Sequence, residues 1–147
     1  GRGVQAAVTG VREVREARQM SNSRIVRNAA PVIPGIADSL KLSIGETIFV
    51  SGQIGFEEDG SNPATFERAV ELGYQQLERA LAVWGLTFSD LVRVNAYVKH
   101  LDQERLTIWR ETRDKVYGDV PRSASTVIGV DSLFADAEFE IDAIAAL

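Results

Sequence analysis

RSASTVIGVDSLFADAEFEIDAIAA, residues 122–146, is the stretch that decides the fold. Two runs of short and β-branched side chains, 125–130 and 138–144, flank the loop Leu133-Phe134-Ala135-Asp136, a pattern that predicts two strands joined by a connection. In the second run Phe139, Ile141 and Ala143 alternate with Glu138, Glu140, Asp142 and Ile144. A period of two sends the three carboxylates to one face. Most such rows are a solvated strand face; Glu140, midway along, is the acid best placed to hold a water against a substrate.

Working outward, the pattern before this stretch alternates helices and strands. Ile25-Val26 starts a short strand, and Leu40, Leu42 and Ile44 alternate along a second. A third, TIFVSGQIG at 47–55, is a continuous apolar run that predicts burial on both faces, and Gly52 and Gly55 allow close backbone approach. The acidic segment 57–60 lacks the alternating oxygen ligands of a calcium loop and reads as a turn. Pro63, behind Ser61 or Asn62 as cap, opens a helix. Its stripe is Phe66, Ala69, Val70, Gly73, Tyr74, Leu77, Leu81 and Trp84, with Gly85 as terminator. LVRVNAYVK at 91–99 alternates as a strand with Val92, Val94, Ala96 and Val98 on one face. Asp102 caps a second helix, with Leu106, Trp109, Arg113 and Val116 on one side and Gly118 at its end. The order ββ(β)αβαββ predicts an α+β domain, two helices on one face of a mixed, largely antiparallel sheet.

The chain has 147 residues, 45% of them hydrophobic, which suits one domain over residues 21–147. Cysteine is absent and His100 is the only histidine, so a thiol nucleophile, a histidine-based metal cluster and a histidine-containing triad are excluded. His100 itself, ending a strand at a loop, reads as exposed and inert. No apolar stretch approaches a membrane span and no signal peptide is visible, so a cytoplasmic location is expected. The formal net charge of −5 disfavours nucleic acid as a partner. Residues 1–20 differ from the rest: Val4, Ala7, Val8, Val11 and Val14 recur at helical spacing, interrupted at Thr9-Gly10. Three readings of this extension compete. Met20 is the natural start, or the segment is an amphipathic arm on its own oligomer, or it is a recruitment helix for a larger assembly.

Four stretches in order, IFVSGQIG at 48–55, Ala82-Val83-Trp84-Gly85-Leu86, LVRVNAYVKHL at 91–101 and SLFADAEFEIDAIA at 132–145, resemble the Rid/YjgF family of reactive-intermediate deaminases. The resemblance covers the chain from about Arg24 onward. It implies a chorismate-mutase-like α+β fold, a homotrimer, and sites in the clefts between subunits. It also implies hydrolysis of 2-imino acids, the tautomers of enamines, to 2-keto acids and ammonia, with neither cofactor nor metal. By position the water-holding acid is Glu140 and the pocket serine is Ser51.

The family's substrate-clamping arginine falls on either of two residues. The text VPRSAS matches Arg122, whereas a count back from Glu140 without a gap reaches Ser125. The two differ by an odd number of residues and so point to opposite faces of a strand. Arg122 serves only if it precedes the strand or if a bulge absorbs the difference; the gapless count favours Ser125. The family's usual aromatic before the second strand has no counterpart around residues 36–38, and a polar position near the second helix falls near Arg110. Each of these has a plainer reading: Arg122 as a surface arginine, Ser51 as a strand-end cap, Arg110 and Arg113 as a solvated helix face. Three functions follow: imine or enamine hydrolysis; binding of a small carboxylate metabolite in the intersubunit cleft without turnover; and ribonuclease action, which the acidic balance and the lack of a basic-aromatic stripe disfavour.

Overall fold

The computed structural model describes residues 22–28 and 30–147. Its elements are β1 (Ile25–Arg27), β2 (Leu40–Leu42), β3 (Thr47–Gln53), α1 (Phe66–Ala82), β4 (Leu91–Lys99), α2 (Gln103–Tyr117), β5 (Ala124–Val130) and β6 (Phe139–Ala146). The expected readings of residues 1–20 lie outside the described residues.

β1 and β2 form a small antiparallel pair, and the other strands make one sheet in the order β3-β6-β4-β5. β6 runs antiparallel to both β3 and β4, while β4 and β5 are parallel. A parallel pair needs a crossover, and α2 supplies it between β4 and β5 as α1 does between β3 and β4. The strands predicted either side of the 133–136 loop are therefore not neighbours, because β4 lies between them. The layering expected from the sequence, two helices on a mixed sheet, is the one found.

Period-two alternation positions the core. Phe139, Ile141, Ala143 and Ala145 of β6 and Val94, Ala96 and Val98 of β4 are buried together with Val70, Tyr74, Leu77 and Leu81 of α1. Phe139 stacks on Tyr74 with ring centroids 5.9 Å apart and meets Phe66 edge-on at 6.5 Å. Gly73 makes this possible, since a β-carbon there would stand 2.7 Å from the Phe139 ring.

Several local expectations are corrected. Helix α1 starts at Phe66, with the Thr65 hydroxyl accepting from the Arg68 N–H, so neither Ser61 nor Asn62 caps it and Pro63 lies in the approach. Trp84 is 57% exposed rather than part of the stripe. The helix ends before it, and Gly85 (φ 72°) turns the chain so that its own N–H reaches Ala82 O and Leu86 N–H reaches Leu81 O, burying Leu86 instead. On β4 the register slips between Leu91 and Arg93, so Leu91 takes the buried place expected of Val92. Arg113 is buried, its guanidinium 4.8 Å over the Trp109 ring and bonded to Asp114, and it belongs to no solvated face. The run 47–55 is not buried on both faces: Val50 alone within β3 is buried and Phe49 is 77% exposed. One helix layer covers one side of a sheet, and in the single chain the other side of this edge strand is bare.

Asp102 caps α2 through its bond from Arg105 N–H (2.8 Å), and Gly118 ends the helix at φ 55°, both as the sequence predicts. The 57–60 segment is a turn closed by Asp59, which accepts from the Ser61 N–H and hydroxyl.

Candidate active site

The site is built on a fault in the sheet. Val50 pairs with Ala143 and Gln53 with Ile141, so β3 carries one residue more than β6 over that interval. Such a bulge re-aims side chains and bends the strand. Here it brings Gly52 against Glu140: a β-carbon on Gly52 would stand 2.8 Å from Glu140 Cδ. Only a glycine lets the carboxyl lie that close to the β3 backbone.

The three acids of the β6 row differ in their partners. Glu138 is bonded to Arg105 of α2 at 2.6 Å, and that guanidinium also lies over Phe66. Asp142 accepts from Asn95 Nδ2 at 2.9 Å and from the Tyr97 hydroxyl at 2.7 Å. Glu140 accepts nothing from any described residue, although it sits directly across from Tyr97. Partial burial, with the charge of Asp142 beside it, pushes the Glu140 carboxyl above its ordinary value. A half-buried carboxylate without a partner and with a raised pKa is the arrangement a general base needs.

Glu140 lines a cleft of about 510 Å³, within the range of small-molecule sites. Gly52, Gln53 and Phe56 form one wall, Gln76 and Arg79 of α1 another, and Phe134 stands at the rim. Phe134 is 78% exposed and precedes two left-handed residues, Ala135 and Asp136. That conformation is costly for side chains with a β-carbon. Two contacts hold it, Lys99 Nζ to Asp136 at 2.6 Å and Asn62 Nδ2 to the Ala135 carbonyl at 3.0 Å.

The other predicted residues lie elsewhere in the chain. Ser51 is exposed in the bulge beside Gly52, its carbonyl accepting from Gln53 Nε2, and it does not line the cleft. Ser125 pairs with buried Val94, which turns it to the helix side of the sheet, away from Glu140. Arg122 precedes β5, its guanidinium 4.9 Å over Tyr117 and donating to the Gly118 carbonyl at 3.2 Å and to Asp114 at 3.5 Å. Glu140 is level with Tyr97, which is level with Ile128, so at about 3.3 Å per residue Arg122 and Glu140 lie about 20 Å apart along the strands. Arg110 is exposed on α2 and also outside the cleft. His100 is exposed at a φ of 52°. The sequence reading missed Gln76, Arg79 and Phe134; the signal available for the first two was a polar pair three apart on the helix that packs against β3.

Fold and cleft together define a protein of the Rid/YjgF type, and comparison with known sequences agrees. Residues 37–147 match the family model described as Endoribonuclease L-PSP, and the chain belongs to that family. It is 33% identical over 108 residues to the RutC family protein YjgH of Escherichia coli (strain K12), an alignment covering 73% of this chain and 80% of that one. Among solved structures, the Rid-family protein YyfB of Yersinia pestis superposes with a TM-score of 0.76 at 20% identity, covering 84% of this chain and 99% of its own. Protein YJGH gives a TM-score of 0.63 at 27% identity, covering 83% and 98%. E. coli TdcF, solved with bound serine, gives 0.64 at 20%, covering 86% and 96%. Among the described residues no helix is long and apolar enough to cross a membrane.

Proposed function

We propose that this chain is a cofactor-free, cytoplasmic deaminase that hydrolyses 2-imino acids, and the enamines in equilibrium with them, to 2-keto acids and ammonia. The observation that carries this reading is Glu140: among the described residues the one acid of its row without a partner, held in a cleft with its pKa raised. Glu140 takes a proton from a bound water as the water oxygen bonds to the imine carbon. That proton passes to the nitrogen, leaving a carbinolamine. The carbinol hydroxyl then gives up its own proton, which Glu140 relays to the nitrogen as the carbon–oxygen double bond forms, the carbon–nitrogen bond breaks and ammonia leaves. RNA cleavage has less support, since the chain carries a formal net charge of −5 and, among the described residues, the cleft lining includes one basic side chain. The test is to generate a 2-imino acid in place with an amino-acid oxidase and follow its disappearance with a carbonyl trap. Faster loss in the presence of the protein supports deamination; tight carboxylate binding without faster loss transfers the assignment to a metabolite-binding protein.

The anchor for the substrate carboxylate is proposed to be Arg122, supplied by a neighbouring copy. Its position before β5 supports this reading, and because it lies far from Glu140 within one chain, the reading places the two on different copies. Arg122→Lys is expected to lower kcat/KM by about ten- to a hundredfold, because a point charge cannot replace a planar two-point fork. Steady-state kinetics on the trapped reaction checks this, and an unchanged value would remove Arg122 from the site. Ser125→Arg is expected to place a charge against the helix layer and lower the melting temperature rather than raise activity.

We also propose a homotrimer, which the exposed sheet face supports. The face of the sheet away from the helices carries exposed Phe49 and Ile128 beside the polar network of Asn95, Tyr97 and Asp142. Light scattering is expected to give three times the chain mass at micromolar concentration, and Phe49→Asp to lower it. A stable monomer of the parent protein would reject the assembly and, with it, a site shared between copies.

A further inference from the structure

The cleft contains a cation that the proposed reaction does not use. Arg79 lines it together with Glu140, and its Nε is bonded to Gln76 Oε1 at 2.9 Å, one turn back on the same helix. That bond, between side chains at the surface, orients the guanidinium and leaves both terminal nitrogens without a partner among the described residues. The chain has more acids than bases, and Arg68, Arg105, Arg113 and Arg122 are all paired with carboxylates. Among the described residues Arg79 pairs with no carboxylate; nor do Arg24, Arg27, Arg93 and Arg110, but of these five Arg79 is the one that lines the cleft. It does not pair with Glu140 across the cleft either, and no cation contributes to the shift of that acid. The space between the two is open to a ligand.

We propose that Arg79, oriented by Gln76, is a second anion-binding point in the Glu140 cleft, so that the favoured substrates are 2-imino acids whose side chain ends in another carboxylate. This rests on the deaminase reading. One carboxylate, next to the imine carbon, is held by the anchor of that reaction. The distal one accepts two parallel hydrogen bonds from the terminal nitrogens of Arg79, the geometry for which a guanidinium is suited. Gln76 acts through Arg79 as a positioning residue.

The test compares 2-iminoglutarate with 2-iminobutyrate, both generated in place by oxidases, on the parent protein, Arg79→Gln and Gln76→Ala. Direct binding of 2-oxoglutarate and 2-oxobutyrate is measured alongside by calorimetry. The parent is expected to favour the dicarboxylate by about tenfold in kcat/KM, carried in KM, as one charge-assisted contact gives. In Arg79→Gln that ratio is expected to fall to about one, and in Gln76→Ala to an intermediate value. A parent that treats the two imines alike, or a ratio preserved in Arg79→Gln, overturns the proposal. If neither imine is consumed, the deaminase reading fails separately and binding decides. Tighter 2-oxoglutarate than 2-oxobutyrate binding, lost in Arg79→Gln, sustains the second anion point, and equal binding removes it.

Discussion

Replacing Glu140 by glutamine is expected to cut turnover of a 2-imino acid by on the order of a hundredfold or more, the usual contribution of a positioned general base. The amide keeps the shape and the fit against Gly52 and loses the basicity. Because burial and Asp142 raise the pKa of Glu140, the parent's activity is expected to fall at a higher pH than an ordinary carboxylate would give as the solution is acidified. The same shift fixes the sign of the stability change. A carboxyl that holds its proton more tightly folded than unfolded makes the folded state bind the extra proton between the two pKa values. Stability from this group therefore declines as pH rises through that window. At neutral pH the ionised carboxylate is a cost, so Glu140→Gln is expected to melt no lower than the parent. A large fall in melting temperature, or undiminished turnover, would assign Glu140 a structural role.

The largest effect on the fold is expected at Gly55. A β-carbon there would lie 2.2 Å from Leu72 Cβ and 2.4 Å from the Leu72 carbonyl carbon. Backbone cannot swing aside as a side-chain tip does, so relief requires α1 to move off the end of β3. Gly55→Ala is expected to cost about 3 kcal/mol or more, at the upper end for overpacking. Truncating Leu72 would not rescue it, because the backbone clash remains. Gly60 makes the contrast: its φ of 85° is unfavourable, but nothing stands within 4 Å, and Gly60→Ala is expected to cost about 1 kcal/mol. Urea denaturation of both variants measures the difference; equal midpoints would mean that the α1–β3 contact yields more easily than its geometry allows.

Gly52 and Gly55 show how far the sequence carried the fold and where it stopped. Both were legible as points of close approach, because glycines in an apolar strand have few other uses. What approaches them, Glu140 in one case and Leu72 in the other, depends on tertiary pairing that no local pattern contains. The alternation of β6 and the stripe of α1 were legible because periodicity reports burial directly. Trp84 was misassigned for the same reason: the period continued past the point where the Gly85 turn ended the helix. Arg113 was legible on the apolar side of its helix, yet its charge also suggested a solvated face; here an aromatic ring and Asp114 receive it. Gln76 and Arg79 were passed over because they lie off the apolar stripe, and a stripe locates the core, not the rim of a cleft.

The central position of β6 bears on how the molecule comes into being. β3 and β4 share no ladder; each is joined to the other through β6, and Thr47 at the start of β3 pairs with Ala146 at the end of β6. Contacts so distant in sequence close late and slowly. Until they close, there is no bulge opposite Asp142, no carboxyl against Gly52 and no cleft. The acid and its pocket arise in the same event that completes the sheet, so a partly folded chain offers a metabolite nothing to bind.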